Sequence, residues 1–158
     1  MNRLVIRLIS VLAGVVLTAA GLWVWHVART PAGPVTAVPA PAGWARPAVA
    51  ADDLGQASGV TITRVAVTAG GGLVDLRFRV VDPDRAHALH DASTPPAVVD
   101  ESSGLVVHDL LMNHEHTGDF RAGVTYYLVF NNPGNWVRRG ARVTVLLGNA
   151  EVEHVRVV

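Results

Sequence analysis

Leu73-Val74-Asp75-Leu76-Arg77-Phe78-Arg79-Val80 alternates without a break: Leu73, Asp75, Arg77 and Arg79 fall on one side, and Val74, Leu76, Phe78 and Val80 on the other. A period of two with one wet and one dry face is the pattern of a β-strand lying on a core. Upstream, Val60, Ile62, Val65 and Val67 form a β-branched run that ends at Thr68, and Gly70-Gly71-Gly72 separates the two runs. Glycine reaches the backbone angles a tight turn needs, so the pair reads as a hairpin.

The same punctuation continues downstream. Asp82-Pro83-Asp84 offers a helix cap followed by proline at the first helical position, with a single turn expected over Arg85 to His90. Ala97 to Val99 and Gly104 to His108 read as short strands joined by Asp100-Glu101-Ser102-Ser103. Val124 to Phe130 reads as a strong strand, and Asn131-Asn132-Pro133-Gly134-Asn135 as a turn. Arg142 to Leu147 and Glu151 to Val157 close the chain as a hairpin around Gly148-Asn149. About seven short strands at roughly ten-residue spacing predict an all-β, antiparallel β-sandwich. Tyr126, shortly after Arg121-Ala122-Gly123, resembles the tyrosine corner of immunoglobulin-like folds; an ordinary cross-strand aromatic is the alternative.

Upstream of the strands the composition changes. Leu8 to Trp25 holds no charged residue and follows Arg3 and Arg7. Eighteen helical residues reach about 27 Å, close to a hydrocarbon core of roughly 30 Å. Residues 1–28 therefore read as an N-terminal transmembrane anchor, with Trp23 and Trp25 at the far interface. A cleaved signal peptide is the rival, with Thr18-Ala19-Ala20 as its cleavage context, but the apolar run continues past that point. Arginine precedes the span twice and follows it closely once, which predicts a cytoplasmic N-terminus and a periplasmic or extracellular remainder, single-pass in the cell membrane. Residues 29–57 carry five prolines among alanine, glycine and valine, and read as a Pro/Ala-rich linker. Residues 58–158 are left as the extracytoplasmic sandwich domain.

The formal net charge of zero is the sum of unlike halves. Arg3, Arg7, Arg29 and Arg46 face no acid before residue 51, and nine arginines face thirteen acids after it, so the halves carry +4 and −4. The acidic half is expected to be pushed away from an anionic bilayer. A zero total argues against nucleic acid as a partner. The absence of cysteine excludes disulfides, thiolate metal sites and a cysteine nucleophile. All thirteen basic residues are arginine, which with the abundant alanine, valine and glycine suggests a GC-rich bacterial genome.

The segments Val99-Asp100-Glu101-Ser102-Ser103-Gly104 and Phe130-Asn131-Asn132-Pro133-Gly134, then Val137-Arg138-Arg139-Gly140 and Val143-Thr144-Val145, complete this layout. The chain resembles the small single-pass bacterial membrane proteins that carry one immunoglobulin-like β-sandwich outside the membrane. The resemblance implies a fold and an anchor and brings no catalytic residue with it.

Chemistry is sparse. No Gly-x-Ser-x-Gly elbow is present, and Asp100 and Glu101, as neighbours on an extended chain, point to opposite faces. Gly70-Gly71-Gly72 lacks the lysine and following helix of a phosphate loop. No enzyme activity is expected. Five of seven histidines lie between residues 87 and 116, and imidazole binds copper and zinc. His114 and His116 share one side of an extended segment, Met112 offers a thioether, and His87 and His90 share a helical face. With His108 these make the candidate metal ligands. The expected partner-contact residues are Trp136, Arg138 and Arg139 with Asn131 and Asn132, next to the 109–121 loop. The sequence thus predicts a non-enzymatic, membrane-anchored binding or assembly module, an accessory component of a membrane or envelope complex with a protein partner. The alternative is an extracytoplasmic copper or zinc binder.

Overall fold

The computed structural model of the chain describes residues 40–111 and 119–158. The expected anchor, with Trp23 and Trp25, lies outside the described residues. Among the described residues no helix is long and apolar enough to cross a membrane.

Seven strands are found among them: β1 Val60–Thr68, β2 Leu73–Val80, β3 Ala97–Asp100, β4 Val106–Val107, β5 Thr125–Asn131, β6 Arg142–Leu147 and β7 Ala150–Arg156. They form two antiparallel sheets, ordered β1-β2-β5 and β4-β3-β6-β7. The dry face of β2 works as the sequence predicts, whereas Asp75 on the expected wet face is buried, at 7% exposure beside Arg77. Val74, Leu76, Phe78 and Val80 are at most 2% exposed and join Leu128 and Phe130 of β5 with Val143, Val145 and Leu147 of β6 in one core. Val67 faces Val74 across the glycine turn, and Leu147 faces Ala150 across Gly148-Asn149. Two short helices, α1 Leu54–Ser58 and α2 Pro83–Ala86, flank the first sheet's strands in sequence. Asp82 caps α2 by accepting from the N–H groups of Asp84 and Arg85 at 3.1 and 3.2 Å, which is the role its position before proline implies.

The sheets are stitched at one edge. Val65 pairs in parallel with Val157, the Val158 N–H donates to the Val65 carbonyl at 3.0 Å, and the Val67 N–H donates to the Val158 carbonyl at 3.0 Å. Along β5, Leu111 and Asn131 exchange backbone bonds with Val129 and Asp109 at 2.8 and 2.7 Å. The Tyr126 hydroxyl accepts from the Arg121 N–H at 3.0 Å, and its ring stacks on Phe78 with centroids 5.9 Å apart.

Residues 40–57, within the stretch read as linker, belong to the folded unit. Leu54 is fully buried in the main core. Ala40 and Trp44 cover Ala97, Val106 and Leu146, which lie on the outer face of the four-stranded sheet. The Val49 N–H donates to the Glu151 carbonyl at 2.9 Å, and the Glu151 N–H donates to the Pro47 carbonyl at 3.1 Å. Proline lacks a donor but keeps its carbonyl, so a proline-rich strap can still pair with a strand edge. The apolar outer face needs such a cover, because leaving it wet would forfeit about 25 cal/mol per Å2.

Candidate contact surface

Three connections meet at one end of the sandwich: the β1–β2 turn, the β3–β4 turn and the long β5–β6 connection. Asn132 is the tie between the first and the last. It is 2% exposed, and its amide nitrogen donates to the carbonyls of Gly71 and Val137 at 2.7 and 2.8 Å. Its Oδ1 accepts from the Val137 N–H at 3.1 Å. Gly71 lies so close that a Cβ there would come within 2.4 Å of the Asn135 side chain, at a φ of +105°. Only glycine fits both demands. Ala69 and Asn135 beside it hold positive φ angles of 51° and 53°, a conformation that costs energy in residues with a side chain.

Two shallow clefts flank this connection. One, of about 230 Å3, runs between Val67, Gly71 and the Asn135–Arg139 segment. The other, of about 280 Å3, lies between Ser102, Ser103, Trp136 and Arg138. Arg138 lines both. The Asp100 carboxylate, 4% exposed, fixes the wall of the second by accepting from the Ser102 hydroxyl at 2.6 Å and from the Ser103 hydroxyl and N–H at 2.7 and 3.1 Å. These serines donate to a carboxylate and have no histidine partner among the described residues.

Of the five expected contact residues, Arg138 and Arg139 are exposed and Trp136 is half-buried against the core. Asn132 is turned inward. Asn131 is spent on Asp109, to which its amide donates at 2.7 Å. The two asparagines hold the surface in shape, while Trp136, Arg138 and Arg139 present it.

Asp100 ends β3 and Glu101 begins the β3–β4 turn, and the two carboxylates bond to different partners. Glu101 reaches over the second sheet to β7. Its Oε1 accepts from the His154 N–H at 2.6 Å and from the Thr144 hydroxyl at 3.3 Å, and its Oε2 lies 2.9 Å from His154 Nδ1. His154 sits at φ +62°, beside an irregularity in the β6–β7 register. Partial burial pushes the Glu101 carboxyl up, but the hydrogen bonds and charge of His154 and the Thr144 hydroxyl outweigh it. The group is held below the ordinary carboxylate value. The spacing of Asp100 to Ser102 and Ser103 is a legible side-chain turn; the partnership of Glu101 with His154, 53 residues away, has no local signal.

The histidines divide. His87 and His90 meet edge to face, with ring centroids 5.2 Å apart, and His90 stacks on Phe120 at 4.6 Å. His108 packs edge-on against Trp44 at 5.0 Å. Met112, His114 and His116 lie outside the described residues. Among the described residues no three His, Asp or Glu side chains group to hold a metal ion. No family model, curated protein or solved structure matches the chain.

Proposed function

We propose that this chain is a non-enzymatic binding or assembly module, anchored in the cell membrane by residues 1–28 and presenting an immunoglobulin-like sandwich outside the cytoplasm. Its seven strands, ordered β1-β2-β5 against β4-β3-β6-β7, form two antiparallel sheets with the first and last strands on different sheets, an arrangement that supports the immunoglobulin-like assignment. The phenol bond of Tyr126 is corner-like, although it sits on the fifth strand and not on the sixth, where the immunoglobulin corner lies. The observation that carries the reading is the built end of the sandwich. Asn132 locks a connection that exposes Arg138 and Arg139 beside the Trp136 indole, between two clefts. Aromatic and arginine side chains on a rigid support are the usual anchors of protein contacts. The occupant is a protein subunit of a membrane or envelope complex. A photo-crosslinking residue at Arg138 in the full chain should capture one partner in native membranes, and the same residue at Asp84 should not. A chain that runs as a lone monomer in detergent and captures nothing from either position refutes this function.

A second reading, copper or zinc binding, is favoured by the contact of the His87 and His90 rings. Two imidazoles one helical turn apart can share an ion. Calorimetric titration of the full chain with Cu(I), Cu(II) and Zn(II) tests it, and affinity unchanged in the double variant His87→Ala/His90→Ala removes this pair from any site.

A further inference from the structure

The arginines of the two sheets line up across the seam that joins them. Arg77 of β2 stands opposite Arg64 of β1, and Arg156 of β7 stands opposite Arg142 of β6. β1 and β7 run parallel where Val65 pairs with Val157, and both valines are 1% exposed. The residues just before them, Arg64 and Arg156, therefore turn to the outer side, and both are exposed. Arg77, Arg64, Arg156 and Arg142 thus occupy four adjacent strands at one level. Strands lie about 4.8 Å apart, so the row follows roughly 15 Å of a surface that bends at the β1–β7 seam, where the two sheets meet. Tyr127, opposite Arg77 on β5 and 59% exposed, extends it at one end. Val158, 48% exposed, lies beside its middle. Arg138 and Arg139 lie past the C-terminal ends of β1 and β7, where they line a cleft with Val67 and the Gly140 N–H donates to the Val157 carbonyl at 2.8 Å.

Among the described residues only Arg77 of the four has a carboxylate at ion-pair distance, Asp75 at 2.8 Å. Like charges directly opposite each other destabilise a sheet. Residues 51–158 hold thirteen acids against nine arginines, yet the fold sets only Asp75 against an arginine of this row. Such a stripe is stabilised when a surface of negative charges meets it. Tyrosine and the aliphatic stems of arginine suit a lipid headgroup layer. Such a layer is also within reach on the anchor reading. About fourteen residues, 26–39, separate the apolar run from the folded unit, and they span at most about 50 Å in any conformation.

We propose that the stripe Tyr127–Arg77–Arg64–Arg156–Arg142 is a docking face for the anionic lipid headgroups of the bilayer that anchors the chain. The inference rests on the membrane reading of residues 1–28. It reverses locally the repulsion that the net charge of the domain implies, because the four arginines of the row face one ion-paired carboxylate, Asp75.

Arginine modification by phenylglyoxal, read by mass spectrometry on the full chain in lipid nanodiscs, tests it. In discs containing phosphatidylglycerol, Arg64, Arg142 and Arg156 should react about fivefold more slowly than in phosphatidylcholine discs, the factor one basic side chain gains near an anionic surface. Arg85, held by Asp82, should react alike in both. The gap should close at about 0.5 M salt, and Arg64→Gln/Arg156→Gln should abolish the protection of Arg142. Equal rates in both discs overturn the docking face while leaving the anchor standing. Protection seen in native membranes but not in protein-free anionic discs overturns it in favour of an acidic protein. A chain that enters neither disc refutes the anchor itself, and the docking face with it.

Discussion

Replacing Asn132 by alanine should collapse the contact end of the sandwich and cost a large share of its stability. The side chain makes three hydrogen bonds to backbone groups of two separate connections, at 2.7, 2.8 and 3.1 Å. A net contribution of about 1 kcal/mol each gives about 3 kcal/mol. The Val137 N–H, in a residue with no exposed surface, is then left without its acceptor and raises the cost further. Against a typical total of 5–15 kcal/mol this is a severe loss. For a domain of this size it corresponds to a fall of roughly 12 °C in Tm. The assay is urea unfolding of the full chain in mild detergent, followed by far-ultraviolet circular dichroism. The midpoint should drop at unchanged slope. Asn149→Ala, in the exposed β6–β7 turn, is the control and should stay within about 0.5 kcal/mol of wild type. Asn132→Asp separates hydrogen bonding from packing. It keeps the size but turns a donor into a charge facing two carbonyls. It should be as damaging as alanine at pH 7 and recover in part below about pH 4, where a protonated carboxyl can donate once. A loss under about 1 kcal/mol for Asn132→Ala, or an Asn132→Asp deficit that ignores pH, would refute the idea that this residue wires the surface together.

The Glu101 contact with His154 makes an acid-side prediction. The carboxyl is held below its ordinary value of 4.5 in the fold, so its contribution is fully present above that pH and is lost as pH falls through the lower, folded value. Glu101→Gln should flatten the acid limb of a stability-versus-pH curve and leave its neutral limb parallel to wild type; two superimposable acid limbs count against the contact. Trp44→Ala should uncover Ala97, Val106 and Leu146 and cost about 2 kcal/mol, with faster proteolysis between residues 40 and 50 as the direct readout. Arg142→Thr relieves the pairing with Arg156 and should raise stability by a few tenths to 1 kcal/mol, more at low salt; a loss of stability would mean that Arg142 has a favourable contact in the fold.

What the sequence reveals follows the range of each interaction. The β1–β2 and β6–β7 hairpins were readable because strand alternation and glycine turns are local. The Asp82 cap and the β3–β4 turn were readable for the same reason, each needing only two or three neighbours. The strap is hard to read because its cues point both ways: the five prolines and many alanines of residues 29–57 argue for a spacer, while Trp44 and Leu54 supply the burial. Trp44 stands alone in composition and gains its meaning only from Ala97, Val106 and Leu146, which come from three different strands. The left-handed His154 is likewise invisible locally, because its partner arrives from the β3–β4 turn across β6. Asn132 is a turn residue as its sequence context implies, whereas Asn131 ends β5; both spend polar atoms within the fold, and Trp136, Arg138 and Arg139 are the expected contacts that remain.

If the stripe meets the bilayer, net charge is no guide to the orientation of the domain. Arg64, Arg77, Arg142 and Arg156 are scattered over more than ninety residues, each followed by an apolar residue that sets its face and not its company. Two antiparallel registers and one parallel bridge are needed to align them. With any of the three shifted by one residue, a side chain would move to the core face and the row would break. The β1–β7 seam therefore has two consequences at once: it closes the core through Val65 and Val157, and it fixes the spacing of the charges outside. Residues 40–57 pack onto the sandwich, so on the anchor reading at most about fourteen residues, 26–39, lie between the apolar run and the described domain. A variant that loosens the seam without touching an arginine, Val157→Ala, should weaken the core by about 1–2 kcal/mol. Below its unfolding transition it should also narrow the phosphatidylglycerol-dependent protection of Arg64, while leaving Arg85 unchanged. If protection survives intact in a chain whose seam has demonstrably opened by hydrogen exchange at Val158, the alignment of the two sheets is irrelevant to the contact, and a single sheet must be doing the binding.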